Sequence, residues 1–196
     1  FHHAMQAVFG VRSHIDGVPV HGNTDLGIVR AVLAREGIPS EVLERERSRL
    51  IETMCAEVAS KAGQLAPEVC PSIVELLTLL RERGKLLGVV SGNLERIGWL
   101  KLEASGLREF FEFGSFSDAR EQREEIFRAG IAEARGRRGE TARVCVVGDT
   151  PADIRAARAS GVPILALATG TFPLEELRGH GPDACFGCCT DLLAAG

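Results

Sequence analysis

Over the first sixty positions apolar residues recur three and four apart, and no run there reads as a strand. Ala4, Met5, Val8 and Phe9 form one stripe that Gly10 closes, which predicts a helix over residues 1–10. The loop after it holds the Asp16-Gly17 turn and Pro19. Asn23, Thr24 or Asp25 would each cap the next helix. That helix carries Leu26, Ile28, Val29, Val32 and Leu33 inward and stops at Gly37. Ser40 opens a third helix with Leu43, Leu50, Ile51, Met54 and Val58 at helical spacing. Its remaining faces are dense in Glu and Arg and read as solvated. Gly63 and Pro67 mark the exit.

From there the pattern alternates. Ser72-Ile-Val-Glu75 reads as a capping box for a helix with Ile73, Leu76, Leu77 and Leu80 inward, ending at Gly84. Residues 86–90 read as a strand, 94–105 as a helix and 110–116 as an aromatic-rich connection. Residues 121–135 read as a helix with Ile126, Phe127 and Ile131 inward. Strands follow at 144–147, 163–168 and 183–186, with a small-residue helix after the first and a terminal helix at 191–195. Alternating strands and helices predict an α/β fold, a Rossmann-like parallel sheet core with right-handed crossovers. The expected division is a helical unit at residues 1–66 and an α/β core at 67–196.

The chain of 196 residues is long enough to bury a core, and 45% hydrophobic with 26% charged residues is ordinary for a soluble globular protein. A net charge of −4 argues against nucleic-acid binding through general electrostatics. No apolar run approaches a membrane span and no signal peptide is visible, so no membrane partner is expected. The six cysteines, at 55, 70, 145, 185, 188 and 189, follow no regular framework. That usage suits reduced thiols in a cytoplasmic protein. Cys185-Phe-Gly-Cys188 is a lone C-x-x-C, a weak zinc signal. Oligomeric state leaves no mark in the pattern.

The chemistry centres on Val144-Cys-Val-Val-Gly-Asp149-Thr-Pro-Ala-Asp153. Here an apolar strand turns at Gly148 into a helix, and two carboxylates stand at the strand's carboxyl end, where open α/β sheets bind ligands. Paired negative charge there calls for a cation. Mg²⁺ fits, because it takes one or two carboxylates and leaves its other positions to water and phosphate. The plainer alternative is that Asp149 ends the strand and Asp153 caps the helix. Ser91-Gly92-Asn93 and Thr169-Gly170-Thr171 end two other strands with hydroxyls and close-approach backbone suited to a phosphate. A cation is wanted to offset that charge. The lysines are Lys61, Lys85 and Lys101, and Lys101 is expected to point away from the strand end. Arg123 is better placed and Arg120 second, each with a solvated helix face as the alternative.

The order Ser91-Gly-Asn93, a basic residue some thirty positions on, and Gly148-Asp-Thr-Pro-Ala-Asp153 resembles the second to fourth motifs of haloacid dehalogenase-like hydrolases. The first third resembles the helical cap of many of these enzymes. Gly22-x-Thr24-Asp25 resembles a loop of phosphoglycolate-phosphatase-like members. The resemblance implies Asp149 as a direct Mg²⁺ ligand and Asp153 as a ligand or its neighbour. It implies Ser91, Gly92 and Asn93 on the transferring phosphoryl group, and Thr24 near the substrate. Arg123 takes the place of the usual lysine, keeping the charge but not its point-like geometry. The first motif, Asp-x-Asp, is not in the sequence and is expected upstream of Phe1. The resemblance then implies a Mg²⁺-dependent phosphatase acting on a small phosphorylated metabolite through an aspartyl-phosphate. Rival expectations are a catalytically inactive domain that binds a phospho-ligand or partner, and a phosphomutase. A dehalogenase has no use for the carboxylate pair.

Ser91, Asp149 and His180 also follow the chain order of an α/β-hydrolase triad. The nucleophile elbow needs Gly-x-Ser-x-Gly, and Gly88-Val-Val-Ser91-Gly92-Asn93 lacks it. His21 is within reach of a substrate from the first loop, with a solvated loop histidine as the plainer expectation.

Overall fold

The computed structural model describes residues 1–195. Its first third holds α1 (His2–Phe9), α2 (Asp25–Arg35) and α3 (Ser40–Ser60). Gly10 ends α1 in the left-handed region at φ 71°, where a glycine has no Cβ to clash. Among the three candidate caps of α2 it is Thr24 whose Oγ1 accepts from Gly27 N–H, at 3.1 Å. The inward stripe of α2 is buried as expected, against Met5, Leu43, Leu50 and Met54. This interior does not stop at residue 66. Leu94 and Ile97 complete it, so the helical unit and the α/β core share one hydrophobic cluster.

The rest alternates through α4 (Ile73–Glu82), β1 (Gly88–Val90), α5 (Glu95–Ala104), β2 (Phe113–Ser115) and α6 (Arg123–Arg138). Then come β3 (Val146–Gly148), α7 (Pro151–Ala159), β4 (Ile164–Leu167), α8 (Leu174–Gly179), β5 (Ala184–Phe186) and α9 (Cys189–Ala194). Every strand pairing is parallel, as βαβ crossovers require. The single expected sheet is, however, two hydrogen-bonded pieces, β1-β2 and β3-β4-β5. Among the described residues β1 pairs only with β2, and β3 only with β4, so each keeps one edge unpaired. Side-chain packing joins the pieces. Phe127 and Ile131 of α6, Ile154 of α7 and Leu177 of α8 pack on Ile164 and Ala166 of β4, and Val90 and Val146 lie against the same cluster. A smaller cluster joins Leu76 of α4, Leu167 of β4 and Cys189 of α9.

Several local expectations change. Residues 110–116 contain β2, whose three residues are too few to show alternation. Gly88 exists for this strand's sake: a Cβ there would lie 2.2 Å from the Phe113 ring. Ser72 stands at the N-cap position of α4, but its side chain makes no capping bond. It sits at φ 60°, and its hydroxyl accepts from Thr190 Oγ1 at 3.0 Å instead. The apolar run 144–147 is not a buried strand throughout: Cys145 is exposed and Val147 is 50% exposed. Apolarity marked the strand's place, though the strand runs 146–148 instead of 144–147, and did not show what covers it. The six-residue α8 was not anticipated, being too short to show a helical period.

Candidate active site

At the end of β3 the glycine makes room for an acid. A Cβ on Gly148 would stand 2.6 Å from Asp153 Cβ, so Gly148 lets Asp153 fold back against the strand end. Thr150 caps α7, accepting from Asp153 N–H at 3.1 Å, while Asp153 Oδ2 accepts from the N–H groups of Thr150 (3.1 Å) and Asp149 (3.2 Å). The Thr150 hydroxyl also donates to Oδ2, at 2.8 Å. Pro151 begins the helix, where its missing N–H costs nothing. Oδ1 of Asp153 receives Arg123, with Nε at 2.8 Å and Nη2 at 2.6 Å. Asp153 is buried, and its charge is met on both oxygens. It is thus both the cap residue of the plainer reading and the partner of the one well-placed arginine.

Asp149 is different. It is half-buried, and no other side chain among the described residues hydrogen-bonds its carboxylate. Burial, and then the charge of Asp153, push its pKa above the ordinary aspartate value of 3.8, while Arg123 and His21 offset part of the rise. Its Oδ2 nestles against Gly170, where a Cβ would lie only 2.2 Å away. Glycine in the Thr169–Thr171 turn therefore gives Asp149 its place.

The turn after β1 reaches the same rim. Ser91 N–H donates to Ser115 O at 3.0 Å, and Asn93 N–H to Ser91 Oγ at 3.2 Å. A Cβ on Gly92 would stand 2.3 Å from Asn23 O and 3.2 Å from Arg123 Nη1. Arg123 thus bonds Asp153 and lies beside Gly92, close enough that a side chain there would meet it. Ser91, Gly92, Asn93, Arg123, Asp149 and Asp153 are brought together as expected. Arg120 is exposed and takes no part.

Two placements differ from expectation. Thr24 is 1% exposed with its hydroxyl engaged in capping α2, so it supports the loop instead of facing a substrate. Lys101 does not point away: its Nζ donates to Asn93 Oδ1 at 3.0 Å. Asp25 was legible as a possible cap and as the end of the Gly22-x-Thr24-Asp25 loop, but not as a partner of Asn93 and Leu94. The loop before it also seats on the rim. A Cβ on Gly22, at φ 75°, would stand 2.9 Å from Ala152 Cβ, and His21 hydrogen-bonds Thr171 Oγ1 at 3.1 Å. His180 ends α8 with its carbonyl accepting from Arg158 (3.0 Å), and no hydrogen bond joins it to Ser91 or Asp149. That removes the triad.

No group of three or more His, Cys, Asp or Glu among the described residues is arranged to hold a metal, and the C-x-x-C cysteines are free thiols. Of the two acids at the end of β3, Asp149 offers an unengaged carboxylate, whereas Asp153 has none to spare. A hard cation that takes one or two carboxylates and otherwise water and phosphate fits this site through Asp149, with Asp153 behind it. A cavity of about 450 Å³ between α3 and α5, lined by Glu52, Cys55, Trp99 and Asp118 among others, contains none of these residues.

The family model described as haloacid dehalogenase-like hydrolase matches residues 29–167. The chain is 24% identical to "Probable phosphatase IndB" of Dickeya dadantii, over 85% of this chain and 77% of that protein. It is 28% identical to the phosphoglycolate phosphatase of Synechococcus elongatus, over 76% of this chain and 68% of that protein. Its fold is similar to that of CbbY from Rhodobacter sphaeroides, solved in complex with phosphate: TM-score 0.67, 17% identity, covering 97% of this chain and 86% of that one.

Proposed function

The chain belongs to the haloacid dehalogenase-like hydrolase family, as an enzyme among its phosphatase-like members, and we propose that it is a Mg²⁺-dependent phosphatase of a small phosphorylated metabolite. The observation that carries the reading is the position of Arg123, beside Gly92 of the Ser91–Asn93 turn and bonded to Asp153 next to the unengaged Asp149. A phosphoryl group at this rim meets the Ser91 hydroxyl, the Asn93 amide and a guanidinium on one side and the Asp149 carboxylate on the other. Mg²⁺, when bound, supplies Lewis-acid charge that makes Asp149 attractive rather than repulsive to a phosphate.

In this reading Asp149 is the metal ligand. Asp153 is its support, holding the Asp149 N–H and the Arg123 guanidinium at once. Ser91, Gly92 and Asn93 bind the equatorial oxygens, and Arg123 offsets their charge as it spreads in the transition state. The family resemblance implies an Asp-x-Asp aspartate as the attacking group, and none of these 196 residues supplies that motif. The attacking carboxylate oxygen bonds to phosphorus as the ester P–O bond breaks, and the second aspartate protonates the departing oxygen. Water then hydrolyses the aspartyl-phosphate to inorganic phosphate. The unpaired edges of β1 and β3, and the exposed Val147 in the middle of β3, support a further strand at this place. The helical unit, seated over the rim by residues 21–25, selects the substrate.

The test is phosphate release from a panel of phosphomonoesters, phosphoglycolate first because a relative bears that name, by purified protein of known intact mass. Release that needs Mg²⁺ and is abolished by Asp149→Asn supports the reading. Release unchanged by EDTA or by that substitution overturns the metal assignment. A protein carrying the Asp-x-Asp segment that releases no phosphate from any ester, yet binds inorganic phosphate, is a binding domain instead.

A further inference from the structure

The helical unit places one carboxylate inside the α/β core's phosphate turn. Asp25 opens α2, is 6% exposed, and faces neither solvent nor its own helix's amides. Its Oδ1 accepts from Asn93 Nδ2 at 3.1 Å and its Oδ2 from Leu94 N–H at 2.8 Å, across 68 and 69 residues of sequence. Its own N–H donates to Gly92 O at 2.8 Å. Lys101 Nζ, on Asn93 Oδ1 at 3.0 Å, fixes which way the Asn93 amide points, so that its NH₂ faces Asp25. Three bonds from one residue thus hold the backbone of the turn at Gly92 and Leu94 and the side chain between them. The close approach leaves no room for adjustment, since a Cβ on Gly92 would strike Asn23 O. A carboxylate so buried is a costly way to tie two segments unless its placement sets something. What it touches is the segment that presents Ser91 and Asn93 to the rim.

We propose that Asp25 is a positioning residue: it gives the Ser91–Asn93 turn its phosphate-binding geometry, and does so only while the helical unit is seated. This rests on the phosphatase reading above for the identity of the ligand. Lifting the helical unit withdraws three hydrogen bonds from the turn at once. The Asn93 amide, with Lys101 still on its oxygen, is then free to rotate, and the Leu94 N–H opens to water. The fold thereby makes a loaded turn and a closed site one event, and a substrate that keeps the helical unit from seating meets a turn that binds phosphate poorly.

The experiment uses the full chain as wild type, Asp25→Asn and Asp25→Ala, with two readouts. The first is amide hydrogen exchange over residues 91–98. The second is titration with inorganic phosphate in the presence of Mg²⁺. The expected result is exchange at Leu94 at least tenfold faster in Asp25→Ala, with phosphate affinity down about tenfold or more. Asp25→Asn keeps an acceptor oxygen and nearly the same shape, so it folds even where alanine does not. It should show an intermediate loss of phosphate affinity at an unchanged melting temperature, which a merely structural role would not give. Unchanged exchange at Leu94 in both variants overturns the clasp. Faster exchange with phosphate affinity equal to wild type overturns the positioning role while leaving the clasp. A wild-type chain that shows Leu94 protected by Asp25 but binds no phosphate overturns the phosphatase reading, and the positioning role with it.

Discussion

Arg123 and Asp153, 30 residues apart in sequence, meet through one oxygen: Nε and Nη2 of the arginine both bond Oδ1 of the acid. Oδ2 is left to the amides that start α7. The pair is largely out of solvent, at 17% and 4% side-chain exposure. Removing Arg123 therefore strands a buried carboxylate. Arg123→Ala is expected to cost about 3–5 kcal/mol, the range for breaking a buried pair from one side. Arg123→Lys keeps a charge but loses the fork, and should cost about 1–3 kcal/mol. Urea unfolding checks both. A loss under half a kilocalorie for alanine would show that the pair holds nothing.

Gly170 is expected to be intolerant for chemical rather than folding reasons. A Cβ at this exposed glycine meets the Asp149 carboxylate at 2.2 Å and little else, so the side chain must turn away. Gly170→Ala should leave the melting temperature within a few degrees of wild type while Mg²⁺ affinity falls by at least tenfold. Calorimetric titration with MgCl₂ reads this directly, and an unchanged affinity would remove Asp149 from the metal site.

Thr150 both caps α7 and donates to Asp153. Thr150→Ala should cost about 1–2 kcal/mol, the usual worth of such a cap. Thr150→Ser keeps the hydroxyl and should recover most of it. Comparing the two by chemical denaturation separates the capping hydroxyl from the packing of the methyl group.

The pH dependence has a definite sign. Burial raises the pKa of both Asp149 and Asp25 above the ordinary 3.8, although Leu94 and Lys101 pull Asp25 partly back. The folded chain therefore binds protons more tightly than the unfolded one at these two positions. Their contribution to stability is full below about pH 3.8 and is lost as pH rises through the raised folded values. Mg²⁺ needs Asp149 ionised, so its stabilising effect should grow over the same rise. Melting curves with and without MgCl₂, from pH 4 upward, should diverge; a constant offset would mean that Asp149 does not bind the cation.

Glu121 fastens the helical unit to the loop before α6. It takes Arg30 through both oxygens, at 2.8 and 2.7 Å, and Arg47 at 3.3 Å. These side chains are partly exposed, and Glu121→Gln should cost about 1–2 kcal/mol, less at high salt. It should also speed proteolysis at the joint between residues 61 and 72. Equal digestion rates for variant and wild type would locate the fastening elsewhere, with Asp25 the first alternative.

What the sequence by itself determined is whatever has a local physical cause. The helical periods of α2 and α3, the glycine stops at Gly10 and Gly37, and the alternation that implies parallel strands all follow from neighbours a few residues apart. So does the Gly148–Asp153 turn, whose cap, proline and paired acids sit within one helical turn. Arg123 was legible because few basic residues compete for its place. Tertiary structure alone decided the rest. That Asp153 is spent on Arg123 and the α7 amides, leaving the Asp149 carboxylate unengaged, depends on an arginine 30 positions away. Lys101 and Asp25 both act on Asn93 from helices whose rotation about their axes no sequence period reveals, at separations of 8 and 68 residues. The division of the sheet into two pieces turns on which strands exchange hydrogen bonds, a property of strand edges and not of side-chain pattern. Local propensity names the parts of this site, and their charges find partners only when distant elements are packed together.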